Sequence, residues 1–162
     1  MLNRLAAIPH IRRVRIHTRL PVVLPARITP ALVATLTGSR LPIVMVLHSN
    51  HAQELDDSVA VACQTLRHAG ITLLNQSVLL RDINDTVAAL AALSERLFEL
   101  GVLPYYLHLL DRVRGAAHFE VDDDRARQLQ TSLRARLPGY LLPRFVREIA
   151  REPYKVPLDH YS

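Results

Sequence analysis

Short apolar runs alternate along this chain with longer segments in which apolar residues recur every three or four positions. A short continuous apolar run is typical of a buried strand, whereas the longer spacing is typical of an amphipathic helix. The predicted strands are residues 13–18, 42–47, 71–74 and 102–110. The predicted helices cover residues 30–38, 53–68 and 87–100, and a last helix begins around residues 122–124 and ends near residues 138–139. Residues 1–10 end a further helix. Strands separated by helices favour an α/β fold with a parallel sheet and right-handed crossovers.

Residues typical of helix ends stand at the expected places in this pattern. Thr29 precedes Pro30, which is a favoured first residue of a helix. Asn84 and Asp85 are predicted to cap the helix that begins near residue 87. Residues 122–124 are three consecutive aspartates, which favour the positive N-terminal end of a helix dipole.

Polar side chains cluster where each predicted strand ends. Asn75, Gln76 and Ser77 form a polar elbow after the third strand, and Asp111 follows the fourth together with Arg112 and Arg114. The clusters after the first two strands are His17 with Arg19, and His48 with Asn50 and His51. Because the carboxyl ends of parallel strands meet at one edge, we expect one site there, as in a β/α barrel or part of one.

Composition narrows the classes of function. With 162 residues and 49% apolar content, the chain is long enough for one domain with a substantial core. The net charge is +5, but the basic residues are spread along the chain without interleaved aromatics, so we expect no nucleic-acid partner.

The first 25 residues lack the apolar core of a signal peptide or membrane span, so we expect a cytoplasmic protein. No strand is followed by GxGxxG or a P-loop.

Several candidate residues also have a plainly structural interpretation. Cys63 lies on the apolar side of its helix and is predicted to be a core thiol, and one cysteine cannot hold an iron–sulfur cluster. His48 and His51 lack the helical i, i+4 spacing of zinc enzymes, so no metal site is predicted. Asp111 alone is typical of a helix cap or ion pair. Lys155, taken alone, is typical of a solvated tail.

Six segments of the chain stand in the order TRLPVVLPARIT, LHSNHAQE, GITLLNQSVLLRDIND, LPYYLHLLDRVRGAAHF, LPGYLLPRFVREI and EPYKVPLD. NQSVLLR and the PYY…D…HF block within them are the specific signatures. Together the six segments resemble the lysine 2,3-aminomutase family of radical S-adenosylmethionine enzymes, and the ending EPYKVPLD resembles the branch that makes (R)-β-lysine for elongation factor P. The resemblance implies a partial (β/α) barrel in residues 1–139 and a C-terminal tail in residues 140–162.

The resemblance also implies roles for individual residues. Lys155 matches the lysine that binds pyridoxal phosphate covalently. His48 and Gln76 match positions that contact S-adenosylmethionine. Asp111 matches an acid that binds the distal ammonium of substrate lysine, and Glu148 occupies the place of a second such acid, where the catabolic enzymes have aspartate.

The implied reaction moves an amino group from C2 to C3 of lysine. It requires S-adenosylmethionine, pyridoxal phosphate and a 4Fe-4S cluster, but the CxxxCxxC motif that binds the cluster is absent from this chain. The sequence therefore resembles the C-terminal half of such an enzyme, with the N-terminal part of the barrel missing. We expect an unpaired strand edge that favours dimerisation or aggregation, and no activity from this chain alone.

Two other functions stay open at this point. The chain can be a cluster-free β/α protein that binds pyridoxal phosphate or a lysine-like amine, or an inactive remnant of the enzyme. The predicted partners are a lysine-like substrate, the missing half of the barrel and, through the unpaired strand edge, a second copy of this chain. No nucleic-acid or membrane partner is predicted.

Overall fold

One six-stranded sheet organises the fold, and its strands follow one another in chain order from β1 to β6. The computed structural model describes residues 1–111 and 115–160, so Arg112 and Arg114 of the fourth polar cluster lie outside the described residues. The first five strands are parallel, and the last pairs antiparallel to the fifth. The strands are β1 (Val14–Thr18), β2 (Ile43–His48), β3 (Thr72–Leu79), β4 (Leu103–Leu109), β5 (Arg144–Arg147) and β6 (Val156–Pro157).

The predicted parallel strands with crossover helices are confirmed, and two strands are added to them. β5 and β6 both come from the tail, where the sequence analysis identified no strand. Within the described residues the sheet does not close on itself, so β1 and β6 are its two edges. The division of the chain at residue 139 stays a prediction.

Among the described residues, six α-helices connect or flank the strands. They are α1 (Leu2–Ala6), α2 (Leu20–Val23), α3 (Pro30–Thr37), α4 (Asp57–His68), α5 (Val87–Glu99) and α6 (Asp123–Arg136). The predicted cap of α3 is confirmed, because the Thr29 side chain accepts a hydrogen bond from Leu32 N. The predicted start of α6 among the three aspartates is also confirmed, and there the Asp122 side chain accepts a hydrogen bond from Arg125 N. In the described residues, no helix has the length and apolar character needed to cross a bilayer.

One predicted helix cap and one predicted helix start are wrong. α5 is capped by Thr86, whose hydroxyl accepts a hydrogen bond from Ala89 N, because Asn84 is buried and bonds elsewhere. α4 begins at Asp57 rather than residue 53, since the Asp56 carboxylate caps it and residues 52–54 form a separate 3-10 turn.

The predicted polar elbow of β3 is also corrected. The strand continues through Asn75, Gln76 and Ser77 to Leu79, with alternating burial along its length. Asn75 and Ser77 point to the buried side, where Asn75 is 1% exposed. A strand tolerates buried amides when a neighbouring strand or loop satisfies their hydrogen bonds.

All helices that contribute to the two hydrophobic clusters cover the same face of the sheet. Met45 and Leu47 of β2 pack with Cys63 of α4 in the first cluster, and Leu107 of β4 packs with Leu129 of α6 in the second. Cys63 is 0% exposed, so its predicted place in the core is confirmed. We call this side of the sheet the helix face and the opposite side the open face.

Candidate functional site

Strand register places four polar side chains in one row across the open face. His48 on β2 lies opposite Gln76 on β3, and Gln76 lies opposite Tyr106 on β4. Tyr106 in turn lies opposite Arg144 on β5. One step further along the strands, His108 stands between Val78 and Val146. The open face therefore presents an ordered set of hydrogen-bonding groups near the carboxyl ends of the parallel strands.

A set of buried side chains, which we call the amide network, fixes the carboxyl ends of β2 and β3. The Asn75 side chain accepts a hydrogen bond from Ser49 N at 2.9 Å and donates one to Ser49 O at 3.0 Å. The Asn50 side chain accepts from Val78 N at 2.9 Å. The Asn84 amide donates to the carbonyls of Asn50 and Val78 and accepts from Leu80 N. The network consists of Ser49, Asn50, Asn75 and Asn84.

The amide network holds His48 and Gln76 from both sides, because Ser49 follows His48 and Asn75 precedes Gln76 in the chain. Two buried polar atoms in these residues, His48 Nε2 and Gln76 Oε1, have no hydrogen-bond partner in the described residues. Native proteins seldom leave such atoms unsatisfied, and an unbound ligand is a common reason. His48 Nε2 therefore presents hydrogen-bonding capacity that the described residues do not use, whereas Gln76 also interacts with His17, where its side chain opposes the lowering of the ring's pKa.

His17 on β1 and His48 on β2 lie close together, and the pKa of each ring is lowered, which favours its neutral state. The rings of His17 and His48 meet edge to face with centroids 5.9 Å apart. Burial lowers the pKa of His48, and nearby His17 and Arg19 lower it further. Burial and then Arg15 lower the pKa of His17. Neutral imidazoles at this edge offer both a donor and an acceptor to a ligand.

A second group of residues, which we call the lysine corner, surrounds Lys155 immediately before β6. The Lys155 ammonium donates a hydrogen bond to the Glu148 carboxylate and lies 3.3 Å from His108 Nε2. It also lies 5.5 Å from the centroid of the Tyr106 ring, within the range of a cation–π interaction. The corner consists of Tyr106, His108, Glu148 and Lys155, and it is less enclosed than the amide network, since the Glu148 side chain is 55% exposed.

The charges of the lysine corner and the burial of its groups together set the pKa shifts of Glu148 and His108. The hydrogen bond from Lys155, and then its charge, hold the pKa of Glu148 below its usual value. Burial and then Lys155 lower the pKa of His108, while Glu148 and Asp111 oppose that change. Glu148 is therefore a carboxylate and His108 a neutral ring at neutral pH.

Asp111 lies at the edge of the site rather than in the lysine corner. It is exposed, and it shares a cleft of about 330 Å³ with Glu148. The structure therefore brings Lys155 and Glu148 into contact and places Asp111 beside them, while His48 and Gln76 lie in the neighbouring row. The cleft is lined by Leu110, Asp111, Arg147, Glu148, Ile149 and Ala150.

His108 is the site residue that the sequence analysis missed. The alternation of side chains along residues 103–110 would have predicted its position, because residues two apart in a strand, such as Tyr106 and His108, lie on the same face. The sequence analysis treated the whole run as apolar and considered only the polar residues after it.

The residues present fit two of the three implied cofactors. The Lys155 amine suits pyridoxal phosphate, and the unsatisfied atoms of His48 and Gln76 suit the polar groups of S-adenosylmethionine. The chain does not fit an iron–sulfur cluster, because its single cysteine is buried in the core and burial raises the pKa of that thiol to about 11. Among residues 1–111 and 115–160, no group of three or more His, Cys, Asp or Glu side chains is placed to hold a metal ion.

Comparison with known proteins extends this picture. The chain is 57% identical over 159 residues to L-lysine 2,3-aminomutase of Escherichia coli, which covers 98% of this chain and 46% of that protein. It is 51% identical over 155 residues to the enzyme of the same name from Haemophilus influenzae, covering 96% of this chain and 46% of the relative. It is 40% identical over 146 residues to that of Clostridium subterminale, covering 90% and 35%. No family model matches the chain.

The fold agrees with these relatives. A crystal structure of a radical SAM methyltransferase from Sphaerobacter thermophilus superposes with a TM-score of 0.56 over 88% of this chain and 42% of that one, at 19% identity. The predicted resemblance to the lysine 2,3-aminomutases is confirmed, and the chain has the fold of part of a radical SAM protein. It spans 46% of the length of the Escherichia coli and Haemophilus influenzae relatives and 35% of that of the Clostridium subterminale relative.

Proposed function

We propose that this chain supplies the pyridoxal phosphate and substrate-lysine side of a lysine 2,3-aminomutase active site, in the branch that makes (R)-β-lysine for elongation factor P. One observation carries the proposal. Lys155 is the only lysine in a chain of 162 residues with nineteen arginines, and it stands at the carboxyl edge of the sheet against Glu148 and His108. If this position required only a positive charge, arginine would serve there as it does at the other basic positions of the chain.

Each side chain has a role that follows from its chemistry. The Lys155 amine holds the cofactor, and bound pyridoxal phosphate supplies the electron-accepting ring that eases migration of the amino group. His48 and Gln76 bind S-adenosylmethionine through the atoms left unsatisfied in the described residues. The amide network keeps those two residues in place.

Glu148 and Asp111 bind the distal ammonium of the substrate. In this chain Glu148 already forms a charge-assisted hydrogen bond with an ammonium, that of Lys155. A substrate ammonium is the same chemical group, so it takes the place of Lys155 on the Glu148 carboxylate. Asp111 lies across the shared cleft and supplies the second carboxylate.

The cluster requires residues outside these 162, because one buried cysteine cannot bind it. A cluster-bearing part of the barrel has a defined place to join the sheet, the edge of β1. Val14 N bonds to Pro42 O across the β1–β2 pair. Since backbone groups alternate sides along a strand, the N–H groups of Arg15 and His17 point outward and are available to another strand. We expect this assembly in the cytoplasm.

The first test uses the single lysine. The chain is incubated with pyridoxal phosphate, reduced with borohydride and mapped by mass spectrometry. We expect one phosphopyridoxyl group on Lys155, with little on the N-terminal amine, which is the internal control. The Lys155→Arg variant keeps the charge and is expected to lose the label. Modification confined to the N-terminal amine contradicts the proposal.

The second test addresses the whole reaction. The chain is expressed alone and together with a cluster-bearing N-terminal portion of the Escherichia coli relative, and the conversion of L-lysine to β-lysine is measured under reducing, anaerobic conditions. We expect activity only from the combination, and none when the combination carries Lys155→Arg. Conversion by the chain alone contradicts the need for a second part.

A second candidate function is a cluster-free protein that binds pyridoxal phosphate or a lysine-like amine. The observation that favours it is the lysine corner, whose groups already contact one another without any cluster ligand. Labelling of Lys155 in the first test, combined with no activity in the second, would select this function.

A further inference from the structure

His108 is a buried histidine to which the proposed function gives no role. Strand alternation places it on the open face of β4, with Val78 and Val146 as its register neighbours. It is 9% exposed, and the edge of its ring contacts the Tyr106 ring at a centroid distance of 5.8 Å. A ring packed in this way has little freedom to turn, so its two nitrogens keep fixed directions.

The two ring nitrogens of His108 face groups of opposite charge. Nε2 lies 3.3 Å from Lys155 Nζ, and Nδ1 lies 3.9 Å from Glu148 Oε1. An ammonium group donates only, so Nε2 must carry a lone pair to accept its hydrogen bond. The proton of the neutral ring then sits on Nδ1 and faces the carboxylate, which is the electrostatically favoured arrangement.

We propose that His108 is a positioning residue that fixes the Lys155 amine by accepting its hydrogen bond on Nε2, in the Nδ1–H tautomer selected by Glu148. The purpose of this contact, which is to hold the amine for pyridoxal phosphate, rests on the function proposed above. Glu148 exchanges Lys155 for the substrate ammonium in that function. His108 is the neutral partner that retains Lys155 at the sheet edge when this exchange takes place.

The charged groups around His108 support its neutral state. Lys155 and His48 disfavour protonation of the ring, whereas Glu148 and Asp111 favour it. Burial has the largest effect, and the pKa of His108 is lowered overall. The acceptor on Nε2 is therefore present at neutral pH and is lost as His108 becomes protonated on acidification.

The single lysine makes the proposal directly measurable by NMR. The full chain labelled with ¹³C,¹⁵N-lysine gives one side-chain signal, and ¹⁵N-histidine labelling reports the tautomer of His108. We expect the Nδ1–H tautomer, a slowly exchanging Lys155 ammonium, and a Lys155 Cε shift that follows His108 with an inflection below pH about 6.5. These measurements need no cofactor.

Two variants separate positioning from packing. His108→Leu removes the acceptor and is expected to speed ammonium proton exchange about tenfold, the fold-change that corresponds to one ordinary hydrogen bond. His108→Gln keeps an acceptor that does not titrate, so the ammonium stays protected while the inflection disappears. His68, exposed at the end of α4, provides the matched control, and His68→Leu is expected to change neither signal.

An Nε2–H tautomer, or a Lys155 signal that is the same in His108→Leu, would overturn the proposal. If His108→Leu does not fold, His108→Gln decides, since an inflection that persists in this variant also overturns it. Failure of pyridoxal phosphate to label Lys155 is a separate result that counts against the proposed function alone.

Discussion

The amide network and the lysine corner border the same site but are built differently. In the amide network, Asn75 and Asn84 are each 1% exposed, and their side chains bond to backbone groups of neighbouring segments. In the lysine corner, the Glu148 side chain is 55% exposed and the main contact joins two opposite charges. The first region fixes backbone, whereas the second holds a reactive side chain.

The two regions therefore differ in how much their contacts stabilise the fold and in how readily those contacts can be exchanged. Buried neutral hydrogen bonds are expensive to leave unmade and respond little to salt or pH. An exposed ion pair contributes little to stability and is screened by salt, but its partners can be exchanged. The amide network is therefore the rigid part of the site, whereas the Lys155–Glu148 contact can be exchanged.

The largest expected effect comes from breaking the amide network. Asn75→Ala leaves both backbone groups of Ser49, a residue that is 0% exposed, without their partner. We expect the free energy of unfolding to fall by about 2–4 kcal/mol, at roughly 1–3 kcal/mol for each buried group left unsatisfied. Urea denaturation measures this change, and Gln64→Ala on the exposed side of α4 is the control. A loss similar to that of the control would show that the network is not structural.

A smaller effect of opposite sign is expected at His48. Its Nε2 atom is buried and lacks a partner in the described residues, so His48→Leu removes an unsatisfied group. We expect unfolding to become harder by about 1 kcal/mol, while S-adenosylmethionine binding by the assembled protein is lost. The same change at His51, whose Nδ1 accepts from Gln53 N, removes a cap and is expected to destabilise the chain. If His48→Leu instead lowers the free energy of unfolding, the assignment of His48 Nε2 as an unsatisfied atom is contradicted.

The smallest effect is expected in the lysine corner. Lys155 lowers the pKa of Glu148 in the folded chain, so the pair stabilises above the unfolded pKa of glutamate and loses this contribution as pH falls through the folded pKa. We expect Glu148→Gln to cost less than about 1 kcal/mol at pH 7, because the pair is largely exposed. The cost should disappear in strong acid and shrink in about 1 M salt. Thermal denaturation of both chains across pH measures it, and a cost independent of pH and salt would contradict an ionic origin.

The central strands could be predicted from the sequence because a run of consecutive apolar residues is typical of a buried strand. β2 and β4 were identified almost to their ends, since both are buried within the sheet. β5 and β6 were missed because RFVR begins and ends with arginine and β6 has two residues, so only pairing with β4 and β5 makes them strands. Pairing between distant segments is not visible in a local pattern.

Only part of the site could likewise be predicted from the residue pattern alone. Strand-end reasoning found His48 and Gln76, whereas Glu148 and Lys155 were proposed only from the resemblance. Asn75 was expected in an exposed elbow because its hydrogen-bond partner, Ser49, lies 26 positions earlier in the chain. The contacts of His108 likewise come from Lys155, which is 47 positions away. The roles of the five predicted site residues stay predictions.

The order of the strands has a consequence for biosynthesis. Each strand from β2 onward pairs with the strand made immediately before it, so no strand must wait for a distant partner during translation. Folding slows as the sequence separation between contacting residues grows, and pairing of successive strands keeps each separation shorter than a pairing that skips a strand would. The growing chain can therefore add one βα unit at a time as it leaves the ribosome, and Lys155 reaches its neighbours last, after the surface that receives it is complete.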